Sequence, residues 1–205
     1  LEGIYLIIKY YDTEVKKSPE IVGWKNYKDM GMSVGVVILR GYNDLTQPPI
    51  TNETTSFEDP IKLTNYLNKG GVPVGFNNKS FDQNLLCEFA GGDQDFILKE
   101  FDMLENIDQE YGYRYTTNLD DLAATTIGTG KNGDGAHAPE LYQKGKIKEL
   151  TDYCINDVEI TADVFEFGLK YGYVLIRPYK NKDMFGNVVV KLPVYWKEIM
   201  KNAYK

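Results

Sequence analysis

Residues 147–171 place Leu150, Cys154, Val158, Thr161 and Phe165 near one stripe of a long amphipathic helix. Such a stripe needs a broad apolar surface to lie on. The chain offers one earlier: residues 4–11 and 32–42 are rich in β-branched and aromatic residues and read as strands, and 72–76 is a short apolar run bounded by glycine, the pattern of a central strand. Residues 48–57 are Thr-rich and read as an edge strand. Helices are expected over 60–68, with Pro60 at the first helical position, over 80–90, over 95–111, and over 118–127 behind an Asn118 N-cap. Residues 173–176 and 187–190 read as a hairpin turning through Phe185, Gly186 and Asn187. Strands come first and then alternate with helices, which predicts an α/β fold with a mixed sheet flanked by helices.

The chain has 205 residues, 42% hydrophobic and 26% charged, which fits one folded domain: a core of about 4–172 and a hairpin extension of about 173–205. It opens on Leu1 rather than Met, which reads as a trimmed chain or a piece of something larger. The apolar run 4–8 is too short to cross a membrane and lacks a signal-peptide cleavage pattern, so no membrane association is expected. Cys87 and Cys154 have neither disulfide nor zinc spacing, which points to a reducing cytoplasm. A net charge of −7 excludes a global field that attracts phosphates, so any nucleic-acid surface must be a local patch. Tyrosine is in excess, with 16 copies; its ring suits core packing and base stacking alike, so the count alone does not choose.

Three short patterns carry chemistry. Asp12 and Glu14 end the first strand, and alternation puts both on one face with Thr13 on the other. Two such carboxylates repel unless a cation or a proton lies between them, although the pair taken alone is weak evidence and a solvated strand end explains it better. Asp82 opens a helix after the strand 72–76 and the polar residues Asn77, Asn78, Lys79 and Ser80. Either it complements a capped helix start, or it stands over the strand ends that carry Asp12. Tyr153 and Asp157 lie four apart on the long helix and so share a face, as a ring over a surface acid or as a phenol beside a metal ligand.

The order of these patterns, D-x-E at a strand end, N-x-x-x-D after a strand and Y-x-x-x-D on a late helix, resembles the DEDD family of 3′–5′ exonucleases. The tyrosine four residues before the last Asp resembles the tyrosine-bearing branch. Residues 23–31, Asn118-Leu119-Asp120-Asp121-Leu122, and the glycine loop 128–135 look like a subgroup of predicted prokaryotic or viral ribonuclease-H-related nucleases. The likeness covers roughly residues 4–180. One departure stands out: Val15-Lys16-Lys17 comes after Glu14 where the family usually has Thr-Gly, which bears on how a 3′ end is seated.

The resemblance implies a ribonuclease-H-like fold and two-metal hydrolysis of phosphodiester bonds at DNA or RNA 3′ ends, expected to be single-stranded. It implies Asp12, Glu14, Asp82 and Asp157 as ligands of two Mg²⁺ or Mn²⁺ ions, the hard cations that an all-carboxylate set prefers. Asp12 would bridge both ions, Glu14 and Asp157 would hold the one that activates water, and Asp82 would help hold the other. Tyr153 would orient the attacking water, and Asn78, favoured over Asn77 by its spacing to Asp82, would contact the terminal nucleotide. Lys131 in the glycine loop is a candidate phosphate contact. His137 reads as structural, Asp120 and Asp121 as acids at a helix start, and the basic residues between Lys144 and Lys148 as a strand guide or a solvated face. Two other classes remain on the same fold: a catalytically silent domain binding nucleic acid or protein, and a structure-specific endonuclease. A helicase or polymerase partner is left open.

Overall fold

A computed structural model describes residues 6–90, 100–129, 137–178 and 188–202. Strand β1 (Leu6–Val15) sorts its side chains by parity: Ile8 and Tyr10 enter one core, Tyr11 and Val15 the other. Strand β2 (Met32–Tyr42) runs antiparallel to all of β1, from Leu6 opposite Tyr42 to Val15 opposite Met32, with an irregularity between Glu14 and Val15. Strand β3 (Thr51–Phe57) covers the outer side of β2 as an edge. On the other side of β1 lies β4 (Val72–Gly75), parallel to it, and then β5 (Phe101–Asp102), parallel to β4, giving the order β3-β2-β1-β4-β5. Pairing of β1 with β4 stops at Tyr10 opposite Val74, so β1 runs on past the end of β4. That overhang is where Asp12 and Glu14 sit.

One face of the sheet is covered by α3 (Pro60–Leu67) and α4 (Asp82–Phe89), with the short turns α1 (Pro19–Val22) and α2 (Tyr27–Met30) beside them; Leu63, Leu67, Leu85, Leu86 and Met30 pack against Tyr11 and Val37. The other face carries α5 (Met103–Tyr111), α6 (Leu119–Thr126), α7 (His137–Gln143) and the long α8 (Ile147–Tyr171), which lies across β1 and β2. Leu150, Cys154, Val158, Thr161 and Phe165 of α8 are all buried, as the stripe requires. Helix starts obey local chemistry: Asp59 accepts N–H groups of Ile61 and Lys62, Asp102 those of Leu104 and Glu105, and Asn118 that of Asp121. Helix α8 ends at Gly172 in the left-handed region.

A hairpin of β6 (Tyr173–Ile176) and β7 (Val190–Pro193) comes next, then α9 (Trp196–Asn202). Val174, Ile176, Leu192 and Trp196 belong to the same core as the α8 face of the sheet. Trp196 stacks on Phe165 with ring centroids 5.1 Å apart and sits directly over Gly168. Among the described residues no helix is long and apolar enough to cross a membrane, and Cys87 and Cys154 are unbridged.

The structure departs from the sequence reading in four respects. The helix expected over 95–111 begins only at Met103, because Phe101 and Asp102 pair with Val74 and Gly75 as an edge strand and the Asp102 side chain then caps α5; residues 91–99 lie outside those described. The helix expected from Ser80 starts at Asp82. The second hairpin strand is Val190–Pro193 rather than 187–190, set by pairing of Ile176 with Val190; the expected turn at 185–187 lies outside the described residues. Helices α1, α2, α7 and α9 have no counterpart in the sequence reading.

Two polar clusters tie the layers together. On the α8 side, Arg40 donates to Glu166 at 2.8 Å, Tyr42 donates to the same carboxylate, and Tyr10 bonds Tyr42 at 3.0 Å. On the α4 side, Tyr11 donates to Glu100 at 2.5 Å and Asn78 donates to the same oxygen at 2.9 Å. Burial is the main force on Glu100. Nearby Asp82 and Asp102 add to it, and the bonds from Tyr11 and Asn78 oppose it; the carboxyl is raised from 4.5 to about 7.

A Cβ on Gly168 would lie 2.3 Å from Trp196, whose ring is fully buried and cannot yield. Gly168→Ala is therefore expected to lower stability by about 1–3 kcal/mol in urea unfolding; an unchanged midpoint would show that α9 is not wedged there. A second expectation concerns pH. The folded state holds the Glu100 proton more tightly than the unfolded chain, so this group's contribution to stability is lost as pH rises from about 4.5 to about 7. Glu100→Gln has no proton to lose, so its stability relative to the parent should rise between pH 5 and pH 8; parallel curves would refute the assignment.

Candidate active site

The overhang of β1 presents Asp12 and Glu14 on the face that α8 covers, and Thr13 on the opposite face. Cys154 of α8 comes between: Asp12, Glu14 and Cys154 each offer a ligand atom, all within 4.8 Å of one another. The Cys154 thiol donates to the Asp12 carbonyl and carboxylate at 3.6 and 3.7 Å. Burial first, then the surrounding Asp12, Glu14, Asp157 and Asp82, push this thiol well above its ordinary range. It stays protonated, so the charged donors here are carboxylates.

Asp82 reaches the strand from the other side. Its Oδ1 accepts the Thr13 N–H at 2.9 Å and the Thr13 hydroxyl at 2.6 Å. Burial raises its carboxyl to about 6; the Thr13 bonds pull against that, and Asp102 adds to it. Tyr153 and Asp157, one turn apart on α8, line the same cleft, which has a volume of about 590 Å³. Asp12, Glu14, Asp82, Tyr153 and Asp157 thus share one cavity, but only Asp12 and Glu14 belong to the tight group with Cys154. A pair of adjacent carboxylates with two more lining the same cleft, one from α4 and one from α8, and no ionised thiol suits a hard divalent cation.

The rim of the cleft is held by Asp102, which accepts the N–H groups of Asn77 and Lys79 at 3.0 and 3.1 Å. Asn77 has φ of 63°, a left-handed conformation that Asn tolerates, and lines the cleft. That turn sends the two asparagine side chains to different places. Asn78 is fully buried: its amide donates to Glu100 and Tyr11, and it packs so close to Gly75 that a Cβ there would fall 2.8 Å from it. Asn77 therefore lines the cleft, and Asn78 does not.

Lys131 lies outside the described residues, as does the side chain of His137, whose backbone opens α7. Asp120 lines the cleft, with Thr117, Asn118 and Leu119 nearby, while Asp121 gives its N–H to the Asn118 cap. Lys144 pairs with Glu140 and Lys146 with Glu149 on an exposed surface. Thr13, Cys154 and Asp102 escape the sequence reading as parts of the site, while Asn77 is weighed there against Asn78. Of the three, only Cys154 has a signal in the sequence, its place on the buried stripe next to Tyr153.

A family model described as a predicted 3′–5′ exonuclease related to the exonuclease domain of PolB matches residues 93–171. Among solved structures, the family B DNA polymerase from the hyperthermophilic archaeon Pyrobaculum calidifontis superposes with a TM-score of 0.57 at 17% identity, over 80% of this chain and 24% of that one. The chain therefore spans about a quarter of the polymerase, and at that identity the likeness shows the fold. No curated protein matches. The fold is ribonuclease-H-like, and the family match over residues 93–171 is consistent with the DEDD exonuclease superfamily.

Proposed function

We propose that this chain is a metal-dependent 3′–5′ exonuclease of the tyrosine-bearing DEDD branch, acting on single-stranded DNA or RNA ends. The observation that carries the reading is the meeting of Asp12, Glu14, Asp82, Asp157 and Tyr153 in one cleft, from three separate elements. Asp12 and Glu14, with Asp157 and Asp82, would hold two Mg²⁺ or Mn²⁺ ions. Such ions, when bound, neutralise the scissile phosphate and stabilise the attacking and leaving oxygens of an in-line displacement.

The chain's own groups do the positioning. Thr13 fixes one oxygen of Asp82 with two hydrogen bonds, which leaves the other for a ligand. Tyr153, whose hydroxyl can both donate and accept a hydrogen bond, suits orienting a water. Neutral Cys154 donates to Asp12 and steadies that carboxylate on its strand. Asn77 and Phe81 line the wall where a terminal nucleotide would rest. Two reduced thiols suit a reducing compartment such as the cytoplasm.

The test is digestion of 5′-labelled single-stranded DNA and RNA with Mg²⁺, Mn²⁺ or EDTA, read on a sequencing gel. The parent should give a metal-dependent ladder shortening from the 3′ end. Asp12→Ala should lose at least about a thousandfold in rate, and Tyr153→Phe about tenfold to a hundredfold. Mn²⁺ should raise the unfolding temperature of the parent but not of Asp12→Ala. Full cleavage by Asp12→Ala would sink the ligand assignment. Internal fragments would favour an endonuclease, and no cleavage with any metal a silent binding domain.

A further inference from the structure

A second cavity, of about 800 Å³, adjoins the candidate active site and shares Asn77, Leu104 and Tyr115 with it. Its outer wall is the turn Tyr113-Arg114-Tyr115 between α5 and α6. Tyr113 is 45% exposed and Tyr115 56%, so one short turn presents two large rings to solvent. The Arg114 guanidinium stands 5.5 Å over the Tyr115 ring.

The turn is held in place from beneath. One carboxylate, Asp108 of α5, accepts the N–H of Tyr115 at 2.7 Å and that of Thr116 at 2.9 Å, and the Thr116 hydroxyl closes the loop on the Tyr113 carbonyl at 2.7 Å. These bonds keep Tyr115 at φ of 53°, a left-handed conformation that a bulky residue rarely adopts. The acids along this cavity are already engaged: Asp108 by these N–H groups, Asp102 by the Asn77 and Lys79 backbone, and Glu105 by the Lys79 ammonium at 2.5 Å. What the turn offers outward is therefore two rings and a guanidinium, ordered before any ligand arrives.

We propose that the Tyr113-Arg114-Tyr115 turn is a stacking platform for single-stranded nucleic acid. It receives the bases on the 5′ side of the nucleotide held at the carboxylates, and in this it rests on the nuclease reading above. Rings and a guanidinium grip any base through its π-face, without sequence preference. They also do so without a basic field, which an acidic chain with a net charge of −7 cannot supply.

The probe is a short 5′-fluorescein-labelled single-stranded DNA whose anisotropy is measured in EDTA, so that no cleavage intervenes. A second oligonucleotide carries abasic sites at the second and third positions from the 3′ end. Tyr115→Asn removes the ring but keeps a residue that accepts a left-handed φ; it should weaken binding of the intact strand about tenfold. The abasic strand should bind the parent about tenfold more weakly than the intact one, and bind Tyr115→Asn no worse than the intact strand does. Tyr115→Trp should bind like the parent. Should Tyr115→Asn misfold, Arg114→Gln and Tyr113→Ser read the same platform from positions without that backbone demand. Equal affinity of these variants and the parent, or an abasic penalty that persists in the variants, overturns the proposal. If the parent cuts strands yet these losses are absent, the platform is wrong and the nuclease reading stands. If it cuts nothing with any metal but binding still depends on Tyr115, the platform stands and the nuclease reading fails.

Discussion

Strand β1 must serve two cores and a charged edge at once, and the rest of the molecule is arranged around that demand. Its first half is buried on both faces, through Ile8 and Tyr10 on one side and Tyr11 on the other. Its second half leaves β4 behind and carries Asp12 and Glu14 into a cleft, while Thr13 turns back to anchor Asp82. The strand can run out this way because β2 pairs with it along its whole length. Without that antiparallel partner the overhang would expose unpaired backbone at the point where two carboxylates already repel each other.

Concentrating acids in this way has a cost that the structure meets by two different means. Asp102 is buried among backbone N–H groups and uses them to hold the rim at Asn77 and Lys79 and to cap α5. Asp82 instead has the Thr13 N–H and hydroxyl, and Glu100 has the Tyr11 hydroxyl and the Asn78 amide. Burial drives all three carboxyls upward, and these donors oppose it in each case. At Asp102 the opposition comes from four backbone N–H groups, fixed by the turns they belong to; Glu100 relies on two side chains and feels Asp82 besides. An added cation would relieve Asp82 directly. It would do less for Glu100, which sits behind the Tyr11 side of the sheet.

The parts of this site that obey a period were legible in the sequence. Alternation put Asp12 and Glu14 together and Thr13 across from them, and a four-residue step put Tyr153 over Asp157. The parts that depend on a single backbone angle or on a partner far along the chain were not. Nothing local says that Asn77 adopts a left-handed turn or that Gly75 leaves room for Asn78 to tuck beneath it. Strand β5 is only two residues long and shows no alternation; it exists because β4 has an open edge for it. The second hairpin strand lies away from its expected position for a related reason, since its register is fixed by pairing with β6 and by Trp196 seated on Gly168. In the sequence Asp108 is one more acid on a helix, and its hold on Tyr115 and Thr116 is visible only once the chain has folded back.

Recognition on an acidic surface has to come from something other than a field. Long-range attraction scales with net charge and is screened within about 8 Å at physiological salt, so a chain at −7 gains little from distant lysines, and two of those here, Lys144 and Lys146, are paired with acids three or four residues away. Contact forces have no such dependence on the rest of the molecule. Exposed Trp24 lines the carboxylate cleft, and Tyr115 lies where that cleft meets the second cavity. An aromatic ring there acts over a few ångströms, is insensitive to the acids that the site requires, and needs a rigid mount more than a favourable potential. The Asp108 clamp supplies that mount. The same carboxylate-rich composition that argues against a nucleic-acid surface when averaged over the chain is thus compatible with one when binding is local, stacked and pre-ordered.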